Sequence, residues 1–433
     1  MASSDVLIIG AGLAGLACAR RLQREGIPFR ILEASDDVGG RVRTDLVDGF
    51  QFDRGFQVLL TAYPEALEQL DYDGLQLCGF LPGAMVRYEG HFHRMTDPWR
   101  EKGTWMQNLF SPVGKISDKL KLSALRGDIL RKTVEEIFAQ PEISALQVLK
   151  KRRFSNRMTD NFFRPLFGGA MLDTKLGSSG RMFEFLFKMF AEGDTAVPAA
   201  GMGAIPRQLA AALPEGSILL NRRAHSIARG QVKLTSGEVL EARTIVVAAE
   251  GPAAMRLLGE ARHVAGRSVC CLYFACKEPP VSEPILVMSG STRGPITNLA
   301  VMNMVAPQYA PEGEHLVSVS TVGWPSRDDQ SLVAMVRGQL KRWYGLVAEE
   351  WRLLKIYRIE HALPSVYPLE RVSRTRLAPG LYVCGDHRAT PSIQGALESG
   401  RLAAEALVRE LRGEADPEPG MRGSARVEAE AEA

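Results

Sequence analysis

Three glycines and a glutamate are the first residues whose spacing could do chemistry. Gly10, Gly12 and Gly15 stand in the run Gly10-Ala11-Gly12-Leu13-Ala14-Gly15, and Glu33-Ala34 closes a later apolar run. A glycine at 10 permits a tight turn. One at 12 lets backbone approach a pyrophosphate, and one at 15 lets a helix pack close to a strand. The elements that must position them are legible too. Val6 to Ile9 is apolar, the stretch after Leu13 is helix-like, and Phe29 to Leu32 is β-rich. Strand, glycine turn, helix, strand and acid form the order of a dinucleotide site. The pyrophosphate rests on the helix N-terminus, and Glu33 is placed to accept hydrogen bonds from a ribose. This motif alone does not separate FAD from NAD.

The continuation does. Gly39-Gly40-Arg41-Val42-Arg43-Thr44 is a second glycine turn with two arginines, and a guanidinium can grip a phosphate oxygen bidentately. A simple NAD domain has no need of this second clamp. With these residues the chain resembles the flavin amine oxidase and phytoene desaturase superfamily, in which ExxxxxGGR follows the first βαβ unit and helps hold FAD. Other segments carry the same resemblance. Leu381 to Asp386 is a short β run ending in Gly385-Asp386, and Ser392-Ile393-Gln394-Gly395-Ala396 opens a helical stretch to about Arg412. The resemblance implies that Asp386 meets the ribityl chain of FAD and that the last helix points its N-terminus at the flavin ring. A helix N-terminus there would stabilise the negative charge of the reduced ring. It also implies that Gly55, Phe56 and Gln57 lie beside the ring, where amine oxidases often carry Gly-Gly, and that backbone near Ala224, usually Val, meets adenine. FAD is expected to be non-covalent, because no matching attachment cysteine is evident. Ser289 to Gly294 lacks a strand–helix setting, so a single dinucleotide is expected.

The resemblance spans nearly the whole chain. It implies an α/β fold: a discontinuous Rossmann-like FAD-binding domain of the glutathione-reductase-like, GGR-motif type, with a mixed α+β substrate domain. The FAD domain is expected over 1–95, 205–265 and 365–412. The substrate domain is expected over 96–204 and 266–364, with a disordered acidic tail over 413–433.

The bulk numbers agree. A chain of 433 residues is too long for one compact core, and 45% hydrophobic with 24% charged residues is ordinary for a globular protein. A net charge of +3 argues against a nucleic-acid partner. Six cysteines without CxxC spacing suggest reduced thiols rather than a disulfide framework or structural zinc. The apolar start has no basic n-region and follows Asp5, and no apolar run reaches spanning length. A cytoplasmic location is expected, with peripheral membrane contact kept open.

The first insertion reads as largely helical, with helical spacing from Lys115 to Phe138. Its Lys150-Lys151-Arg152-Arg153 cluster reads either as a solvated helix end or as a dock for anionic headgroups. Asn161 to Gly169 and Met182 to Phe190 are dense in aromatics and methionine, which suits helix core or the lining of an apolar channel. The second insertion carries strands at Val269 to Ala275 and Leu316 to Val322, and in the family it roofs the flavin. His361 reads as an acid–base group or as a packed interface histidine. His91 and His93 share a strand face but lack a third metal ligand, and no metal is expected.

By the resemblance, a hydride passes from substrate to flavin N5, so few protein acids or bases are needed and the catalytic residues stay unassigned. Oxygen, a quinone or a second substrate would reoxidise the flavin. The turn Pro391 to Gln394 holds no aromatic ring, and no counterpart of the amine oxidases' lysine is found. The reading favoured is a desaturase-like enzyme on an apolar, isoprenoid-like molecule. A flavin amine oxidase and a non-catalytic FAD-binding protein are the alternatives.

Overall fold

The computed structural model describes residues 4–414 apart from 102, 104–109, 261–264, 292–293, 327, 370 and 372. Its apolar runs form two large sheets. The first has eight strands. Ile218–Leu219, Phe29–Leu32, Ser4–Ile9 and Val239–Val247 lie side by side in parallel, and Leu381–Val383 joins Val239–Val247 in the same sense. Val6, Leu7 and Ile8 are wholly buried. A parallel sheet covered on both faces requires such continuous apolar strands. Val239–Val247 also pairs antiparallel with Gln231–Leu234, which pairs with Ala224–Ala228.

The crossover helix Leu13–Arg24 starts directly after Gly12 and ends with Arg21 and Arg24, whose charges suit the negative end of the helix dipole. The last helix, Ile393–Arg412, packs against it. A Cβ at Gly400 would lie 2.1 Å from the Ala14 carbonyl oxygen, so glycine is what permits this crossing.

The second sheet has seven strands in the order Arg352–Pro364, Gly266–Cys276, His315–Val322, Asn298–Val301, Leu286–Ser289, Gly83–Tyr88 and His91–Thr96. Alternate residues face opposite ways. Cys270, Leu272 and Phe274 pack with Leu332, Val336 and Leu340 of the Asp329–Tyr344 helix, whereas Cys271, Tyr273 and Ala275 join the main core towards the first sheet.

One boundary differs from expectation. The hairpin over 83–96 falls within the stretch assigned to the FAD domain, yet it pairs into the second sheet. Ala84 to Arg87 run parallel to Leu286 to Ser289. That strand would otherwise present an unpaired edge, which the hairpin covers. Glu89 and Gly90 both take positive φ, the geometry of a tight two-residue hairpin turn.

The first insertion is a helical cluster. The periodic stretch from Lys115 to Phe138 splits into Ile116–Leu130 and Val134–Ala139. Thr133 causes the split: its Oγ1 accepts from the Glu136 N–H at 3.1 Å while the Glu136 carboxylate accepts from the Thr133 N–H at 2.8 Å. Further on, a wide helical turn over Thr159–Phe163 precedes Arg164–Ala170, and Pro165, which cannot donate to an ordinary helical bond, lies just past it. The Gly180–Glu192 helix completes the cluster.

Gly413, in a left-handed conformation, ends the last helix, and the rest of the expected acidic tail, 415–433, lies outside the described residues. The six cysteines are free thiols. Among the described residues no helix is long and apolar enough to cross a membrane.

Candidate active site

Both sheets and the helical insertion line one cavity of about 1060 Å³, just above the ~300–1,000 Å³ usual for a small ligand alone. Its nucleotide end is built from backbone. Gly10 turns the chain at φ 110° after Ile9, and its N–H donates to the Leu32 carbonyl at 2.8 Å. Gly12 has an ordinary φ of −73°, and a Cβ built there would meet nothing within 4 Å. Gly40 comes close from the other side: its Cβ would lie 3.5 Å from the Gly12 Cα. The helix after Gly12 has no side-chain cap and no acid in its first turn. Its free N–H groups therefore point at a narrow, uncharged cradle suited to a pyrophosphate.

Glu33 is 8% exposed, and its carboxylate is already oriented. Oε2 accepts from the Ala11 N–H at 2.7 Å, and Oε1 accepts from the Ser35 N–H at 2.8 Å and hydroxyl at 2.7 Å. An ionised carboxylate has about four acceptor sites, so it keeps capacity for a ribose.

The two ends of the chain meet at Arg41. Its Nη2 donates to Asp386 Oδ1 at 2.6 Å and its Nη1 to the Ala362 carbonyl at 2.8 Å. The guanidinium was expected to be spent on a phosphate; here it ties the second glycine turn to Gly385-Asp386 while still lining the cavity. Burial opposes its charge, but Asp386 and Glu250 more than offset that. Gln57 Nε2 holds the same turn by donating to the Arg41 carbonyl at 2.9 Å and the Arg54 carbonyl at 3.0 Å. The Gly385 N–H donates to Ser399 Oγ at 2.9 Å. Ser392 caps the last helix by accepting from the Gly395 N–H at 3.1 Å.

The cavity lining includes Gly10, Gly12, Leu13, Ala14, Glu33, Ala34, Gly40, Arg41, Gly55, Phe56, Gln57, Ala224, Gly385, Asp386, Ile393 and Ala396. Ala11, Gly15 and Gln394, also expected at the site, do not line it. Ala11 is fully buried and spends its N–H on Glu33. Gly15 faces the turn, where a Cβ would lie 2.0 Å from the Gly10 carbonyl oxygen. Gln394 turns inward, its Oε1 accepting from the Glu65 N–H at 2.9 Å.

Beyond the Gly55–Gln57 segment the walls change. Phe162, Leu166 and Phe167 come from the helix around Pro165, and Met182, Leu186, Phe187 and Phe190 from the Gly180–Glu192 helix. The aromatic insertion thus serves both expected purposes, because Phe163, Phe183 and Phe185 are core and do not reach the cavity. Leu286, Asn298, Ser320, Val322 and Ile359 come from the second sheet. Leu122, Arg126 and Trp99 form another part of the wall, with the Arg126 guanidinium 4.8 Å from the Trp99 ring centre. Among the described residues no lysine and no cysteine lines the cavity.

Sequence reasoning missed Arg222, Arg223 and His225 beside Ala224, as well as Asn298 and Ser320. The first three adjoin a residue already singled out; the other two stand in strands with no motif. His361 does not line the cavity. It packs on Gly266, where a Cβ would lie 2.2 Å from its Nδ1. His91 and His93 bond to the Glu89 and Tyr88 carbonyls, and no metal-holding cluster occurs among the described residues. Within the basic cluster, Lys150 and Lys151 lie in the last helical turn, and Arg152 pairs with Asp128.

Two buried groups stand behind the lining. Asp53 is 1% exposed and accepts from Thr44 Oγ1 at 2.6 Å, Tyr309 OH at 2.7 Å and the Met202 N–H at 2.9 Å; burial outweighs these bonds and pushes its pKa up to about 6. His387 sits against Gly385, and burial pulls its pKa down to about 4, so the ring is neutral at pH 7.

Comparison with known proteins agrees with this geometry. Residues 13–408 match the family described as flavin containing amine oxidoreductase. Over 63 residues the chain is 48% identical to the lycopene-forming phytoene desaturase of Pantoea ananas, covering 14% of this chain and 12% of that protein. Over 72 residues it is 42% identical to the putrescine oxidase of Kocuria rosea, covering 17% and 15%. The matches thus span a small part of either relative's length. The crystal structure of an oxidoreductase from Methanosarcina mazei shares the fold at a TM-score of 0.71 and 18% identity, over 93% of this chain and 99% of that one. The glycine cradle and the match over residues 13–408 lead to one conclusion: the chain, with its Rossmann-like cofactor domain, belongs to the flavin-containing amine oxidoreductase family.

Proposed function

We propose that the cofactor is non-covalent FAD and that the enzyme takes a hydride from an apolar, isoprenoid-like molecule, with oxygen or a quinone as final electron acceptor. Gly10, Gly12, Gly40 and the first helix N-terminus would hold the pyrophosphate, and Glu33 the ribose. Asp386 and the last helix N-terminus would face the flavin portion. The absence of cysteine from the described lining supports non-covalent binding. Bound flavin supplies the two-electron acceptor; the chain's own residues bind, orient and exclude water.

The observation that carries the substrate class is the wall beyond Phe56. It is built from Phe162, Phe167, Met182, Leu186, Phe187 and Phe190, without a lysine. An amine cation against those six side chains would be desolvated at a cost of several kcal/mol, and Asp97, the carboxylate in the neighbouring wall, already stands 3.6 Å from the Arg126 guanidinium. Delivery from an anionic lipid surface is supported by the Ile116–Leu130 helix. Leu122 and Arg126 line the cavity, while Ile116 and Leu120, one turn apart, are 56% and 67% exposed beside Lys115, Lys119 and Lys121.

The test is the visible spectrum of the purified protein, repeated anaerobically with a lipid extract and with amines. Bleaching by the extract is the expected result. Bleaching by amines alone would overturn the substrate class in favour of amine oxidation. A flavin that nothing reduces would favour a binding-only role.

A further inference from the structure

Arg100 and Arg126 both line the cavity beside its aromatic wall, and they are held in different ways. Arg100 is engaged: Nη1 donates to the Phe190 and Gly193 carbonyls at 3.2 and 2.6 Å, and Nη2 pairs with Asp194. Arg126 is not. Its Nε is buried without a hydrogen-bond partner, and Asp97 Oδ2 stands 3.6 Å away, beyond hydrogen-bond reach. Nη1 and Nη2 bond to no described residue either. Unlike Nε, they are not closed off: the side chain is 18% exposed and lines the cavity, so its outer fork keeps accessible surface.

Neighbours hold the guanidinium in place. It lies 4.8 Å from the centre of the Trp99 ring, which also lines the cavity. Asp97 anchors this turn, its Oδ1 accepting from the Trp99 N–H at 3.0 Å. Leu122, one helical turn before Arg126, lines the same cavity, and Arg100 ties the Trp99 turn to the end of the Gly180–Glu192 helix through the Phe190 carbonyl. The site is thus continuous with Phe187 and Phe190. Its surroundings are positive. Lys115 caps the Ile116–Leu130 helix, Lys119 and Lys121 lie in it, and Lys121 Nζ donates to the Arg153 carbonyl, which brings the Lys150–Arg153 cluster alongside. The acids of this helix are already partnered: Asp118 accepts from the Ser155 hydroxyl at 2.6 Å, and Asp128 pairs with Arg152.

We propose that Arg126, steadied on Trp99, is the head-group site for a carboxylate at the end of an apolar substrate chain. A guanidinium fork matches the two oxygens of a carboxylate with parallel N–H bonds. Asp97 stands on the Nε side and leaves that fork open. The apolar body then lies against Phe187 and Phe190, while the charged end meets the Nη hydrogens that no described residue holds. The positive surroundings attract such an anion and repel an amine. This inference rests on the apolar-substrate reading above and deepens it: the substrate is an anionic amphiphile rather than a bare hydrocarbon.

The experiment titrates farnesoic acid, its methyl ester and farnesene into the flavin-loaded protein at about pH 8, where the acid is ionised, and reads binding by calorimetry. The acid is expected to bind at least about ten-fold more tightly than either neutral probe. Arg126→Leu should cut that preference to within about two-fold while flavin content stays unchanged. Arg126→Lys, which keeps the charge and loses the fork, should fall between the two and keeps the test valid should Arg126→Leu fail to fold. Equal binding of the three probes to the unaltered protein would overturn the head-group site and leave the apolar chamber standing. An ester that binds as tightly as the acid, with farnesene weaker, would overturn the carboxylate assignment. A preference that survives both variants would overturn the assignment to Arg126. Failure of all three probes to bind would sink the apolar-substrate reading and this inference with it.

Discussion

The two ends of the cavity are built by different means. The end at the glycine run is backbone: Gly10 turns, Gly12 and Gly40 stand back, and a helix N-terminus presents free donors. The other end is lined by side chains brought from separate elements, Phe167 from one helix, Met182 from another, Asn298 and Ser320 from two strands. Recognition by backbone needs glycines at fixed spacing along one segment. Recognition by side chains needs only that the fold bring single residues together.

The strongest way to break this contrast lies in two glycines of one motif. Gly15→Val should prevent folding, since its Cβ would lie 2.0 Å from the Gly10 carbonyl oxygen; soluble yield and circular dichroism would report it. Gly12→Val should fold, because its Cβ meets nothing within 4 Å. It should lose flavin affinity by more than about 100-fold, as charge-assisted bonds worth ~1.5–3 kcal/mol each are blocked. A Gly12→Val protein that keeps its flavin would end the backbone account.

Glu33→Ala should weaken flavin binding by about 10–100-fold in a titration of the apoprotein. It should also lower the melting temperature, because the Ala11 N–H loses its acceptor. At the other end, Phe187→Lys should leave flavin content unchanged and reduce anaerobic bleaching by lipid extract about ten-fold, since a cation in that wall is poorly solvated. Loss of flavin from this variant would show that the two ends are not separable.

Asp53, buried behind the lining, gives a pH-dependent effect. Its folded pKa of about 6 lies above the ordinary 3.8. The folded state therefore holds its proton more tightly, and that contribution is complete below about pH 4 and lost as pH rises through 6. Asp53→Asn should thus gain on the unaltered protein between pH 4 and 7 by about 2–3 kcal/mol. Parallel melting curves at the two pH values would contradict this. The smallest effect is expected from His361→Asn, with turnover within about two-fold, since the ring packs on Gly266 away from the cavity; a large fall in turnover would return His361 to the acid–base role.

Much of the cofactor domain was legible in the sequence, because Val6 to Ile9, the glycine run and Glu33 are contiguous. The pairing of Arg41 with Asp386 was not, since nothing in either segment refers to the other. The same holds for the 83–96 hairpin, whose alternation identifies strands but not the sheet they join. Asn298 escaped notice for a related reason: an asparagine in a short strand is unremarkable until Ser320 stands opposite it. Gln394 shows the reverse error, a residue in the right motif that the helix turns inward towards Glu65.

The contact between Arg41 and Asp386 spans 345 positions of the chain, and it bears on biosynthesis. A chain emerging from the ribosome can build its first βαβ unit well before Gly385-Asp386 and the Ile393–Arg412 helix have been made. Until then, the face of the Leu13–Arg24 helix that the last helix covers remains bare, and the cofactor site lacks a wall. Nascent chains of this protein therefore pass through a stage in which apolar surface is open to chaperones and proteases and flavin cannot yet protect it.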